Sequence, residues 1–373
     1  MVSREPILVN QNIIPFFGVK RQYQNLREEI LEVSDVVYSS GKVLDGEFTS
    51  EFERSIALRC DREFAISVNS CTQAIIMVLQ AIEETGNIVI PTVSFAATVN
   101  SVLLTSHNPK FCDVDHKALM DLSSYQGNFA EDNVVAVMYA NLFGNIVDWD
   151  KFQTHTKFFG NDTFVIEDAA QSFGAKYKGI PSGKLGDISV LSFDPTKNLP
   201  NYGSGGMILT DDYKLAEVLL NFRDNGKLSN HLLPGGNSKM SESDCAQMLV
   251  KLNYFDQWQQ RREDIANYYI DQLVSYVDML LPNQDVEHAW HKFVMRVESR
   301  NRLRHHLSVR GIETKVHYDI PLSGLDCAYQ YVGDSETIMG EKFCKESLSL
   351  PIYPELTDSE IEYIVQSVKE FYC

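Results

Sequence analysis

The feature that most constrains this chain is an alternation. Through its first two-thirds, short apolar runs rich in β-branched residues take turns with stretches of helical spacing. The strand candidates are Phe64 to Val68, Ile88 to Ile90, Lys110 to Val114, Val134 to Met138, Phe164 to Glu167, Ile188 to Ser192 and Gly206 to Thr210. Helical candidates between them include Thr72 to Glu83 and Ala96 to Leu104. A strand that is apolar along its whole length has no face suited to water, so both faces of its sheet must be covered. Strands separated by helices are what a parallel sheet needs, since each crossover must be long enough to return the chain to the same edge. The expected fold is α/β with a mostly parallel sheet.

From Ser241 to about Val277 helical signal dominates. A smaller alternation follows, with a strand near Phe293 to Val297, a helix near Arg302 to Val309, a strand near Thr314 to His317 and a final helix from Ser359 to Phe371. At 373 residues the chain is too long for one ordinary small domain. The pattern places a domain change near residue 250, giving a large domain over 1–250 and a smaller C-terminal α/β domain over 251–373. No internal repeat or low-complexity linker interrupts it.

Charge narrows the partners. Lys and Arg total 33 against 51 for Asp and Glu, a formal net charge of -18. A chain this acidic does not bind nucleic acid through a broad basic face. A phosphorylated small molecule is compatible with it, because helix N-termini supply positive potential without charged side chains. The seven cysteines are odd in number and include no Cys-x-x-Cys pair, which argues against a disulfide framework and against a metal site, and suits a reducing cytosol. Met1 to Asn12 carries charges and no long apolar run, unlike a signal peptide. No uncharged stretch of about 18 apolar residues is present, so no membrane span is expected and the chain reads as cytoplasmic.

The motifs that carry chemistry sit at strand ends. Lys197 lies in Ser192-Phe193-Asp194-Pro195-Thr196-Lys197-Asn198-Leu199, after the acid-bearing strand Phe164-Val165-Ile166-Glu167-Asp168 and before Gly203, Gly205 and Gly206. A lysine with one acid upstream and a hydroxyl five residues before it is the layout a pyridoxal phosphate enzyme needs. The amine bonds to the cofactor aldehyde, the acid holds a proton on the ring nitrogen, and hydroxyls with backbone amides grip the phosphate. Most lysines are solvated surface residues, and the flanking sequence argues against that here. Asp168 closes an apolar strand, where an acid is costly unless paired. Read in isolation it is also a plausible helix cap. Gln171 is three residues on, within reach of the cofactor's phenolic oxygen. Glu167 points to the opposite face and receives no role.

Other segments are weaker alone. Asn69-Ser70-Cys71-Thr72-Gln73-Ala74 follows a strand and opens a helix, so its amides and the Thr72 hydroxyl can bind a phosphate. An ordinary N-cap at Ser70 or Thr72 is the simpler reading. Phe95, just past a strand end, can stack on a flat heterocycle, though a core phenylalanine is the better unaided bet. Gly235 to Glu242 reads as a loop ending in a capping box, Ser241 to Asp244 with Glu242 in the first turn. The basic island from Lys292 to Lys315 reads as a solvated helix face before it reads as a diphosphate site. His317 and Tyr318, just beyond, are weak candidates for the edge of an active site.

Taken together, these pieces resemble the DegT/StrS family of pyridoxal-phosphate sugar aminotransferases. The likeness runs in order through Ile14-Pro15-Phe16, Phe52-Glu53, Ser70-Cys71-Thr72, Pro91 to Thr98, Phe111 to Asp115, Asn141 to Gly144, Ile166 to Gly174, Gly186-Asp187, Ser192 to Leu199 and Gly203 to Thr210, then Arg261-Arg262, His317-Tyr318 and Leu350-Pro351. It implies the aspartate-aminotransferase fold (fold type I). It implies that Lys197 binds the cofactor covalently and later moves the proton. Asp168 pairs with the ring nitrogen, Gln171 supports the ring substituents and Phe95 stacks on the ring. Thr72, the Cys71 amide and Ser192 hold the phosphate. Asn237 reaches the phosphate of a neighbouring subunit, which implies a homodimer with shared sites. The reaction implied takes an amino group from an amino acid donor, L-glutamate, to a nucleotide-linked keto sugar, for a deoxyamino sugar of a surface polysaccharide such as lipopolysaccharide O-antigen. A keto-cyclitol acceptor and a non-catalytic, cofactor-binding regulatory protein are the alternatives. The sequence departs from the family pattern at Cys71, Asn141, Asp194, Ser204, Ser238-Lys239 and Ser323, which bears on substrate identity more than on activity.

Overall fold

A computed structural model describes residues 13–127, 132–160, 163–333 and 336–373. Met1 to Asn12, read above as unlike a signal peptide, lies outside the described residues. The central sheet has strands β1 (Phe64–Val68), β2 (Asn87–Pro91), β3 (Asn108–Cys112), β4 (Val134–Ala140), β5 (Phe164–Asp168), β6 (Ile188–Ser192) and β7 (Gly206–Thr210). Their order across the sheet is β1-β7-β6-β5-β4-β2-β3. Only β7 runs against its neighbours, pairing antiparallel with both β1 and β6, while the remaining pairings are parallel.

The apolar runs form strands because the sheet is wet on neither side. Ile66, Ile88, Ile90, Ala136, Met138, Ile166, Ile188, Val190 and Ile208 pack on one face beneath helix α3, described below. Tyr139 and Val137 face the other layer with Phe152, Trp149 and Leu185. Each fully buried Val, Ile or Leu of this kind contributes about 1.5–3 kcal/mol relative to exposure.

The helices are α1 (Val19–Ser40), α2 (Glu47–Arg59), α3 (Cys71–Gln80), α4 (Ala97–Leu103), α5 (Trp149–Thr156), α6 (Tyr213–Arg223), α7 (Glu242–Leu252), α8 (Phe255–Leu273), α9 (Arg300–Ser308), α10 (Ile338–Glu346) and α11 (Asp358–Tyr372). Helix α1 was not expected from the sequence. Its apolar stripe is narrow, with Leu26, Ile30 and Val37 buried beside Gln22 on an otherwise charged surface. It packs with α2, α7 and the start of α8 around Phe52, Ile56, Met248, Phe255 and Trp258. The expected capping box at Ser241 is half right. Ser241 Oγ accepts from the Asp244 N–H at 3.1 Å, but Glu242 leaves its own helix to cap α2, accepting from the N–H groups of Gly46 and Phe48 at 2.8 and 2.7 Å.

The second half of α8 enters another core with Phe293, Met295, Leu348, Leu350 and Ile364. A small antiparallel sheet lies there, β8 (Asp278–Met279), β9 (Phe293–Arg296) and β10 (Ser347–Leu350), with β9 central. Ile14 belongs to this core too, bridged to Ile312. Residue 250, where the sequence pattern changes, falls inside α7.

Two strand readings are corrected. Lys110 to Val114 is displaced to Asn108–Cys112, because the pairing with β2 sets the register and carries Pro109 and Asn108 into the sheet. Thr314 to His317 is no strand. Its backbone pairs with the small sheet at the single Lys315–Ser349 bridge, and Ser347–Leu350 takes the edge position instead. Among the described residues no helix is long and apolar enough to cross a membrane.

Candidate active site

Register brings the chemistry-bearing segments to one edge. Ala140 lies beside Asp168, Asp168 beside Val190, Ser192 beside Gly206, and Gly206 beside Val68. The loops that leave these strand ends open onto a cavity of about 410 Å3. That is the place where α/β sheets bind ligands, outside the carboxyl ends of the parallel strands. Cys71, Thr72, Phe95, Asp168, Gln171, Ser192, Lys197, His317 and Tyr318 all line it. Asn237 does not. It is exposed on the loop after α6 and bridges to Asp224.

One end of the cavity is built for an anion. Ser70 is the N-cap of α3, and its hydroxyl accepts from the Gln73 N–H at 3.2 Å. The cap reading is correct for Ser70, and it leaves Thr72 free for another role. The amides of Cys71 and Thr72 come before the first intrahelical bond and have no helical acceptor. Ser192 Oγ faces the same end and accepts the Asp194 N–H at 3.4 Å. Gly206 has to be glycine here. A Cβ on it would lie 2.6 Å from the Cys71 nitrogen, so only a bare backbone lets β7 pass the α3 N-terminus.

The same cavity holds an acid and an amine. Asp168 is buried, and burial raises its pKa. The Ala170 N–H, which its Oδ1 accepts at 3.1 Å, opposes that shift, as do the Lys197 charge and the Thr98 hydroxyl. Burial likewise lowers the pKa of Lys197, against the pull of Cys71, Asp168 and Asp194. Among the described residues the Lys197 amine has no hydrogen-bonded or ion-paired partner. A desolvated amine with a depressed pKa holds a larger neutral, nucleophilic fraction at neutral pH.

Phe95 is 58% exposed, so the core reading of that residue fails. Its ring lies 6.3 Å from that of Tyr318 and walls the cavity. Gln171 is committed to protein at both ends. Its Oε1 accepts the Phe143 N–H at 3.0 Å and its Nε2 donates to the Tyr318 hydroxyl at 2.9 Å.

Sequence reasoning missed Thr98, Phe17 and His291, which also line the cavity, as does Lys292. Thr98 had a usable signal, since it is a hydroxyl in the first turn of the helix that follows β2. The solvated-face reading of the basic island holds for Arg302, Arg304 and His305, which are exposed, and fails for Lys292, which is buried. Glu167, set aside on the sequence, is a fully buried hub. It accepts from Asn141 Nδ2, Ser182 Oγ, the Gly183 and Leu185 N–H groups and Ser189 Oγ, at 2.9, 2.8, 3.0, 3.0 and 2.7 Å.

These residues fit pyridoxal phosphate on their own geometry. The glycine-crowded anion cradle, the buried acid with few donors and the unpartnered amine each suit one part of that cofactor.

Comparison with known proteins agrees. The model of the DegT/DnrJ/EryC1/StrS aminotransferase family matches residues 24–369. A Streptomyces venezuelae protein, dTDP-3-amino-3,4,6-trideoxy-alpha-D-glucose transaminase, is 31% identical, with 96% of this chain and 96% of that one covered. A Geobacillus stearothermophilus protein called a pleiotropic regulatory protein is 33% identical, with 96% and 98% covered. The crystal structure of S. venezuelae DesV in complex with a ketimine intermediate superposes with a TM-score of 0.91 at 28% identity, covering 97% of this chain and 99% of that one.

Proposed function

We propose, for a chain that belongs to the DegT/DnrJ/EryC1/StrS aminotransferase family, that it moves an amino group from L-glutamate to a nucleotide-linked keto sugar. It is a pyridoxal-phosphate-dependent enzyme with the fold type I architecture. When bound, the cofactor supplies an electron sink and carries the nitrogen between the two half-reactions.

The chain's own residues supply the rest. Cys71 N–H, Thr72 and Ser192 hold the phosphate at the α3 N-terminus, where the helix dipole favours an anion. Asp168 keeps the ring nitrogen protonated, which relieves its own buried charge. Phe95 covers a ring face, and Gln171 fixes the Tyr318 hydroxyl at the cavity wall. Lys197 would anchor the cofactor, and its amine, when free, would be the base that takes and returns the proton at the amine-bearing carbon. The observation that carries this reading is the placement of Lys197, Asp168 and Ser192 around one cavity at a single sheet edge.

The dimer is part of the proposal. Asn237 is exposed on a loop that also presents Leu228 and Leu232, 66% and 84% exposed, so a second copy of the chain has an apolar contact to cover. From that loop Asn237 reaches the partner's phosphate. The product we infer is a deoxyamino sugar for a surface polysaccharide. The names of nucleotide-sugar transaminases among the relatives support the acceptor class.

The test is the absorption spectrum of the purified protein with pyridoxal phosphate, before and after L-glutamate, in wild type and Lys197→Ala. A visible band that glutamate bleaches in wild type, and that the variant lacks, supports the donor half-reaction. A wild type that does not respond to glutamate overturns it. Assay of dTDP-, UDP- and GDP-keto sugars against keto-inositol then separates the nucleotide-sugar reading from a keto-cyclitol one.

A further inference from the structure

The two substrates must use one cavity in turn, yet they differ in a simple respect. An amino acid brings a carboxylate beside its amine, and the sugar carbon that receives the nitrogen does not. We propose that Lys292 receives the carboxylate of the amino donor. The inference rests on the aminotransferase reading above, and it concerns a residue to which that reading gives no work.

Lys292 precedes β9 in Ala289-Trp290-His291-Lys292-Phe293, a lysine set among apolar residues. It is 5% exposed and lines the cavity. Its Nζ lies 4.5 Å from the ring centroid of Phe17 and 5.4 Å from that of Phe16, and Phe17 itself lines the cavity. Among the described residues that ammonium meets no carboxylate and no hydrogen-bond acceptor. Aromatic faces offset only part of the cost of burying it. In a chain with a net charge of -18, acids are plentiful, so a buried basic side chain with no carboxylate in ion-pairing range marks a position where the counter-charge arrives with a ligand.

The groups around it point the same way. Arg262 is buried, with Nη1 on the carbonyls of Trp290 and Ile352 and with Nε unpartnered. His291 bonds to Asn198 Oδ1 at 3.1 Å and His317 to Ser349 Oγ at 2.9 Å. Lys197 and Asp194 complete the charged groups that face it. The phosphate has its own donors at the α3 N-terminus, so Lys292 is spare to that cradle.

Burial, reinforced by Lys197 and Arg262, holds the Lys292 pKa well below its ordinary value. A carboxylate seated beside that amine favours its protonated form, which an uncharged sugar ring does not. Carboxylate binding therefore takes up a proton, and affinity falls as pH rises above the depressed pKa of the free pocket.

The experiment uses the cofactor-loaded protein and compares wild type with Lys292→Met, which keeps the apolar stem and removes the charge. Calorimetry measures binding of maleate, a dicarboxylate that cannot react, and of dTDP and UDP. Steady-state assay gives KM for L-glutamate. Expected for Lys292→Met are maleate affinity and glutamate KM both worse by about thirtyfold or more, with unchanged nucleotide affinity and loss of the buffer-dependent proton uptake seen in wild type. A melting temperature at or above that of wild type shows that the loss is not misfolding. Unchanged maleate affinity in the variant overturns the proposal, as does failure of wild type to bind maleate. Loss of dTDP and UDP affinity with maleate unaffected also overturns it and gives Lys292 to the sugar diphosphate. A wild type that binds maleate through Lys292 but does not react with glutamate sinks the donor assignment and leaves Lys292 as a carboxylate-binding residue.

Discussion

Glu167 and Asp168 are neighbours on one strand and live in opposite worlds. Both are carboxylates, both are buried, and burial raises the pKa of both. The pleat sends them to opposite faces of the sheet. On the back face, Glu167 is met by backbone and hydroxyl donors from the 182–189 segment and by Asn141. Arg62 stands behind them, bonded to Gly183 O, Gly186 O and Ser189 Oγ. On the pocket face, Asp168 has the Ala170 N–H and the Thr98 hydroxyl. A saturated buried acid holds a fold together. An acid left with spare acceptor capacity at a cavity is ready to bind something else.

The contrast predicts that substitutions on the pocket face cost chemistry and those on the back face cost stability. The largest effect belongs to Lys197→Ala, where turnover should drop by about 10^3-fold or more, with an unchanged denaturation curve. Residual activity within tenfold of wild type would remove the lysine from its role. Glu167→Ala comes next. It strands several buried donors at once, so chemical denaturation should show a loss of about 3 kcal/mol or more. A variant as stable as wild type would break the comparison outright.

Asp168→Asn keeps the shape and loses the charge. Cofactor affinity and kcat/KM should fall by about 10^2-fold, while the cofactor-free protein is as stable as wild type or more so. The pH dependence sharpens this. The folded pKa of Asp168 lies above the usual aspartate value of 3.8. Its contribution to stability is therefore full below that value and is lost as pH rises through the raised folded pKa. The stability advantage of Asp168→Asn over cofactor-free wild type should widen across that interval. An advantage that is flat with pH would mean Asp168 is not held in an unfavourable site. Smallest is Tyr318→Phe, which removes the hydroxyl that accepts from Gln171. A change in kcat/KM of about three- to tenfold is expected from one hydrogen bond, and no change would make that contact incidental.

Much of this was legible along the chain because it is local. Strand limits at Phe64–Val68, Ile188–Ser192 and Gly206–Thr210 follow from contiguous apolar runs. Lys197, Asp168 and Ser192 announce themselves as polar residues at the ends of such runs. Helix α1 did not, since a narrow apolar stripe on a charged helix has little contrast. Thr314 to His317 looked like a strand on composition, and the competition for β9 was settled in favour of Ser347–Leu350.

What the sequence determined by itself is the set of elements and the chemistry available at their ends, because both depend on residues near one another in the chain. What only the tertiary structure decided is which side of the sheet each polar group faces and what meets it there. Glu167 reads as idle until the 182–189 segment folds over it. Lys292 reads as one more surface cation until Phe16 and Phe17, distant in the sequence, close on it. Burial and counter-charge are set by contacts across long separations, and no local pattern encodes them.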